Sequence, residues 1–73
     1  MKRIFKIDVP ACHGYSFAVS VDTDNEQDAI QAALKAGCFE DDIDAEYAMV
    51  EDITDDEFER NAFKDCTHDI PVA

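Results

Sequence analysis

Positive charge is what this sequence lacks most. Six Lys and Arg stand against eighteen Asp and Glu, a formal net charge of -12 over 73 residues. Three of the six bases, Lys2, Arg3 and Lys6, fall at the N-terminus, and between Glu40 and Glu59 there are eleven acids and no base. A field of this sign repels nucleic acid and anionic membrane and attracts basic protein surfaces. Long apolar runs are also missing: nothing approaches the roughly 18 residues that a membrane span needs. No apolar run follows the basic N-terminal residues, as a secretory signal would require, so the expected location is the cytoplasm. The three cysteines are an odd number, which argues against a disulfide framework, and no C-x-x-C pair is present. Repeats, linkers and low-complexity segments are absent as well.

What is there is apolar material in the right amount for one small fold. Hydrophobic residues make up 47% of the chain, with five Phe and two Tyr, too many for a disordered acidic tail. A chain this short buries only about 60% of its unfolded surface. Its core is expected to supply roughly 3–5 kcal/mol of net stability. We therefore expect residues 1–73 to form a single acidic α+β domain.

The pattern along the chain gives the elements. Phe5, Ile7 and Val9 alternate with Lys6 and Asp8, the signature of a half-buried strand that Pro10 ends. Tyr15, Phe17, Val19 and Val21 alternate with small residues in a second strand, so the pair reads as an antiparallel hairpin. Thr23 with Glu26, or Asn25 with Asp28, caps a helix over about 26–36. Ala29, Ile30, Ala33 and Leu34 recur at helical spacing, and Gly37 fits the left-handed position past its end. A third strand is expected over 45–53, with Tyr47, Met49 and Ile53 on one face and Ala48 and Val50 on the other. Thr54 and Glu57 then read as a capping box for a short helix over about 55–64, anchored by Phe58 and by Ala62 or Phe63. The tail, 68–73, reads as an edge strand or an extended strap. A right-handed crossover sets the third strand parallel to the second. The expected fold is a small two-layer α+β domain: a three-stranded antiparallel or mixed sheet of order 2-1-3, one packed helix and a short second helix.

The candidate site is the base-free acidic stretch. Glu40, Asp41, Asp42, Asp44 and Glu46, then Glu51, Asp52, Asp55, Asp56, Glu57 and Glu59, are read as a partner-binding surface, with Asp22, Asp24, Glu26 and Asp28 as an extension. Duplex DNA carries about one negative charge per 1.7 Å of axis. Carboxylates held a few ångströms apart copy that density and fill a Lys/Arg groove. Some acids have a local reason instead, because negative charge near a helix N-terminus is stabilised by the dipole; Glu40 to Glu46 has none of that kind. Phe39 and Tyr47 are possible aromatic anchors for a binding face, although both read more naturally as core residues.

Other chemistries fit less well. Asp22, Asp24 and Glu26 resemble the opening of a calcium loop, but its sixth position holds Gln27 and its twelfth Ala33. Cys12, His13, Cys38, Cys66 and His68 would be the ligands of a structural zinc, at spacings that match no zinc signature. Cys12–His13 and Cys66-x-His68 are the only nucleophile–base pairs, and the negative field suppresses a thiolate. No cofactor, no metal and no catalytic residue is expected, and the chain is not read as an enzyme.

Phe17-Ala-Val-Ser-Val21, Asn25, Asp28-Ala29-Ile30 and Tyr47-Ala-Met-Val50 together resemble the DpnD/PcfM-like small domains of phages, plasmids and restriction operons. The resemblance covers about half the chain. It implies a strand, a polar cap, a helix and a return strand, with no catalytic motif to carry over. In size and charge the chain is also similar to small acidic phage proteins that inhibit restriction or CRISPR systems. The expected function is an acidic nucleic-acid mimic, an anti-CRISPR or anti-restriction type of inhibitor. Its partner would be a basic protein surface, with no direct nucleic-acid or membrane contact. The alternatives are a homodimeric assembly adaptor and a zinc-stapled regulatory module.

Overall fold

The computed structural model describes residues 2–10 and 14–70. Two seven-residue strands, β1 (Arg3–Val9) and β2 (Tyr15–Val21), form the expected hairpin, with Val9 opposite Tyr15 and Arg3 opposite Val21. Gly14 takes a left-handed φ of 58°, and its N–H donates to the Pro10 carbonyl at 3.1 Å, which closes the turn. Because the register is in phase, Phe5, Ile7 and Val9 share one face with Phe17, Val19 and Val21, and all six are buried.

Helix α1 (Glu26–Lys35) lays Ala29, Ile30 and Ala33 on that face. Of the two caps weighed from sequence, Asn25 is the one used. Its side chain accepts from the N–H groups of Gln27 and Asp28, while Thr23 bonds the Asn25 N–H and the Asp28 carboxylate. The helix ends as Gly37 predicts. With φ of 78°, Gly37 donates to Leu34, and Cys38 donates to Ala33, satisfying two terminal carbonyls. Phe39 then turns into the core and meets Phe17 edge-on at 5.4 Å.

The first half of the expected third strand is not a strand. Asp44–Tyr47 is a single helical turn, α2, and β3 is only Met49–Asp52. The helical turn puts Asp44, Ala45 and Ala48 inward together, three residues that alternation along a strand would divide between two faces. Val50 packs on the core, whereas Tyr47 (61% exposed) and Met49 (64%) face solvent. Ile53, just past the strand, is fully buried and donates its N–H to the Ile4 carbonyl.

Two further elements complete the chain: α3 (Glu57–Ala62) and, after a short 3-10 turn at Lys64–Cys66, β4 (Thr67–Asp69). The result is a four-stranded mixed sheet of order β3-β1-β2-β4, with β3 antiparallel to β1 and β4 parallel to β2. The expected order 2-1-3 survives as three of its four neighbouring strands. The difference is β4, a fourth strand that the sheet takes up beside β2. Among the described residues there are three α-helices in place of the expected two. Residues 71–73, the rest of the expected strap, lie outside the described residues.

Two expectations about α3 fail. Its cap is Asp56, whose carboxylate accepts from the Glu59 N–H at 3.1 Å. Thr54 is engaged elsewhere: its hydroxyl donates to Asp52 at 2.6 Å and accepts from the Ile4 N–H at 2.9 Å, tying the end of β3 to β1. Nor does Phe58 anchor the helix, which buries no residue; Phe58 is 81% exposed. A Phe58→Ser variant is therefore expected to melt within about 0.5 kcal/mol of the parent. A loss of about 3 kcal/mol in thermal or urea melting, the value for a core Phe, would contradict that placement.

Candidate functional site

The strand directions place the acids. β1 runs from Arg3 to Val9, with Asp8 opposite Met49 and Phe5 opposite Asp52. Glu40 to Glu46 precede Met49 and therefore lie at the hairpin-loop end of the sheet. Asp52 to Glu57 follow β3 at the other end. Nine of the eleven candidate acids thus fall into two groups at opposite ends of the sheet rather than one unbroken patch, with Glu51 and Glu59 between them at Lys6.

At the hairpin end, Tyr15 organises the group. Its hydroxyl donates to the Asp44 carboxylate at 2.6 Å and accepts from the Glu40 N–H at 3.0 Å. Burial above all, then the Asp44 carboxylate, pushes the Tyr15 hydroxyl pKa up, with the Glu40 amide pulling the other way. Asp44 is only 3% exposed, so it holds the acidic loop in place and is not part of the accessible surface. Glu40, Asp41, Asp42 and Glu46 are all exposed. Asp41 also accepts from the Ile43 N–H at 3.2 Å, which starts α2. Ile43 (48% exposed), at the N-cap position of α2, and Tyr47 at its end lie one turn apart, with Met49 following, so this acidic surface carries exposed apolar groups. Of the two aromatic anchors considered, Phe39 is in the core and Tyr47 is at the surface.

At the opposite end, acids surround Arg3. Its Nε bonds Asp52 at 2.6 Å, and Asp55 and Asp24 add to the field that raises the guanidinium pKa. Burial alone would push the Asp52 carboxyl up, but the Thr54 hydroxyl and amide, then Arg3, outweigh it and hold it below the usual carboxylate range. Asp22 and Asp24 line a shallow cleft with Arg3 and Thr23. The β2–α1 turn therefore extends this group, while Glu26 and Asp28 stand in the first turn of α1.

Several acids have internal partners. Lys6 lies 3.3 Å from Glu51 and 3.7 Å from Glu59, which also brings α3 over the sheet face opposite α1. Lys2 pairs with Asp69. Asp56 is the α3 cap. Glu40, Asp41, Asp42, Glu46, Asp55 and Glu57 make no ion pair with any described residue. The three N-terminal bases are thus engaged inside the fold, and these six carboxylates point outward.

Among the described residues no group of three or more His, Cys, Asp or Glu is arranged to hold a metal ion. Cys12 and His13 of the zinc reading lie outside the described residues. Burial raises the Cys38 thiol pKa, Cys66 is exposed, and the His68 ring meets Phe17 edge-on at 5.6 Å. No described helix is long and apolar enough to cross a membrane.

Sequence reasoning found the acids but missed the roles of Tyr15, Asp44, Ile43 and Met49. The available signal was Asp44 itself, an acid at helical spacing from Ala45 and Ala48 and therefore on an inward face. No family model, no curated protein and no solved structure matches the chain.

Proposed function

We propose that this protein acts by binding alone, as an acidic nucleic-acid mimic that occupies a basic surface of nucleic-acid machinery. A phage or mobile-element inhibitor of restriction or CRISPR complexes is the setting that suits it. The reading rests on one observation above all: at the hairpin end, four exposed carboxylates with no ion pair among the described residues are grouped with exposed Ile43 and Tyr47 on a turn that the Tyr15 hydroxyl holds through two hydrogen bonds. Charge steers a basic partner in, and desolvated aromatic and aliphatic groups carry affinity once it arrives.

Charge density supports the same reading. Across the longest dimension of 30 Å the protein carries a net charge of -12. Over about the same length, a single nucleic-acid strand would carry about nine charges and a duplex about eighteen.

The test is displacement. The full chain is titrated into complexes of labelled duplex DNA with a restriction nuclease or a CRISPR surveillance complex, at 50 mM and 300 mM salt. Release of DNA at low salt, weakened at high salt and abolished by Asp41→Lys with Asp42→Lys, is the expected result. No displacement and no binding at low salt would end the proposal.

A further inference from the structure

Beside the Tyr15-anchored turn, α1 and α2 enclose an open groove of about 510 Å³. Its floor is aliphatic: Ile30 and Leu34 from α1, Ala45 and Ala48 from the α2 side. Its walls are polar in two different ways. Gln27 and Gln31, one turn apart on α1, give two amides. Asp42 and Glu46, one turn apart across the start of α2, give two carboxylates. None of these four side chains has a hydrogen-bond or ion-pair partner among the described residues. The backbone that sets them is fixed, because Ala45 donates to the Asp42 carbonyl at 3.3 Å and Glu46 to the Ile43 carbonyl at 3.1 Å.

We infer that this groove receives an arginine side chain from a basic protein partner. The inference rests on the acidic-binder reading and names the partner chemistry at its hairpin end. A guanidinium is planar, weakly hydrated and a five-fold donor, so it bridges two carboxylates and still donates to an amide carbonyl. Its three-carbon stem lies on apolar surface while the charged head stays at the rim. Lysine supplies the charge without the planar fork. A second copy of this chain is a poor occupant, because it brings the same negative charge to the groove.

Nona-arginine and nona-lysine peptides titrated into the full chain, followed by methyl and amide NMR, provide the test. Shifts centred on Ile30, Leu34, Ala45 and Ala48 are expected, with nona-arginine bound more tightly than nona-lysine. Asp42→Asn with Glu46→Gln should weaken nona-arginine about tenfold, two to five times for each exposed pair lost. Asp8→Asn with Asp65→Asn removes the same charge elsewhere and should change affinity less than about twofold. Equal losses from both double variants, shifts centred elsewhere, or equal binding of nona-lysine would overturn the assignment. No binding of either peptide would overturn it too, while the broader reading stands or falls on DNA displacement alone.

Discussion

Tyr15→Phe is expected to lower stability by about 2 kcal/mol, because the hydrogen bond it removes is made to a buried carboxylate. For a domain of this size that is a fall of about 10 °C in melting temperature, and about half of the stability a core this small supplies. Asp44→Asn keeps an acceptor for the Tyr15 hydroxyl and loses only the charge, so about 1 kcal/mol is expected. In Tyr15→Phe the Glu40 amide loses its acceptor and should exchange with solvent faster than in the parent. The pH dependence has a definite sign. The folded-state pKa of Tyr15 is raised, so its contribution is fully present below the ordinary tyrosine value of about 10 and is lost as pH climbs through the higher folded value. The parent should therefore show an alkaline loss of stability that Tyr15→Phe lacks. Melting of the variant alongside the parent at pH 7, with unchanged Glu40 exchange, would refute the anchor.

Added salt should raise the melting temperature by about 5–10 °C between 10 mM and 500 mM, equivalent to about 1–2 kcal/mol. At 10 mM the Debye length of about 30 Å matches the longest dimension of the protein, so every carboxylate feels every other. At 500 mM the two acidic groups no longer sense one another across α1. Screening also weakens the pairs of Arg3 with Asp52 and Lys6 with Glu51, but these are short-range and contribute less than a surplus of twelve charges. A melting temperature that falls with salt would mean that the internal pairs dominate.

The elements that sequence located well are those in which local pattern and tertiary environment agree. β1 and β2 alternate cleanly because one face of each meets α1. Asn25 and Gly37 mark the ends of α1 through backbone hydrogen bonds that depend on nothing distant. Two of the failures involve side chains whose role is set by a partner far along the chain. Asp44 goes inward because Tyr15, twenty-nine residues earlier, receives it. Thr54 leaves its capping role because Ile4 and Asp52 engage its hydroxyl. Hydrophobicity alone points Phe58 to the core, but it does not say whether a six-residue helix has anything to pack against. The same limit applied to the acids. Their number and lack of bases were plain, but whether they made one group or two depended on β3 running antiparallel to β1.

The position of β4 bears on synthesis. β1 and β2 are adjacent in the chain and can zip together as soon as both leave the ribosome, and α1 can close over them while translation continues. The partner that covers the outer rim of β2 arrives only with Thr67, about fifty residues after β2 begins. Until then a strand with unsatisfied amides and carbonyls is presented to every neighbouring nascent chain. Throughout that interval the carboxylates already translated repel sister chains, and so guard the molecule before its sheet is finished.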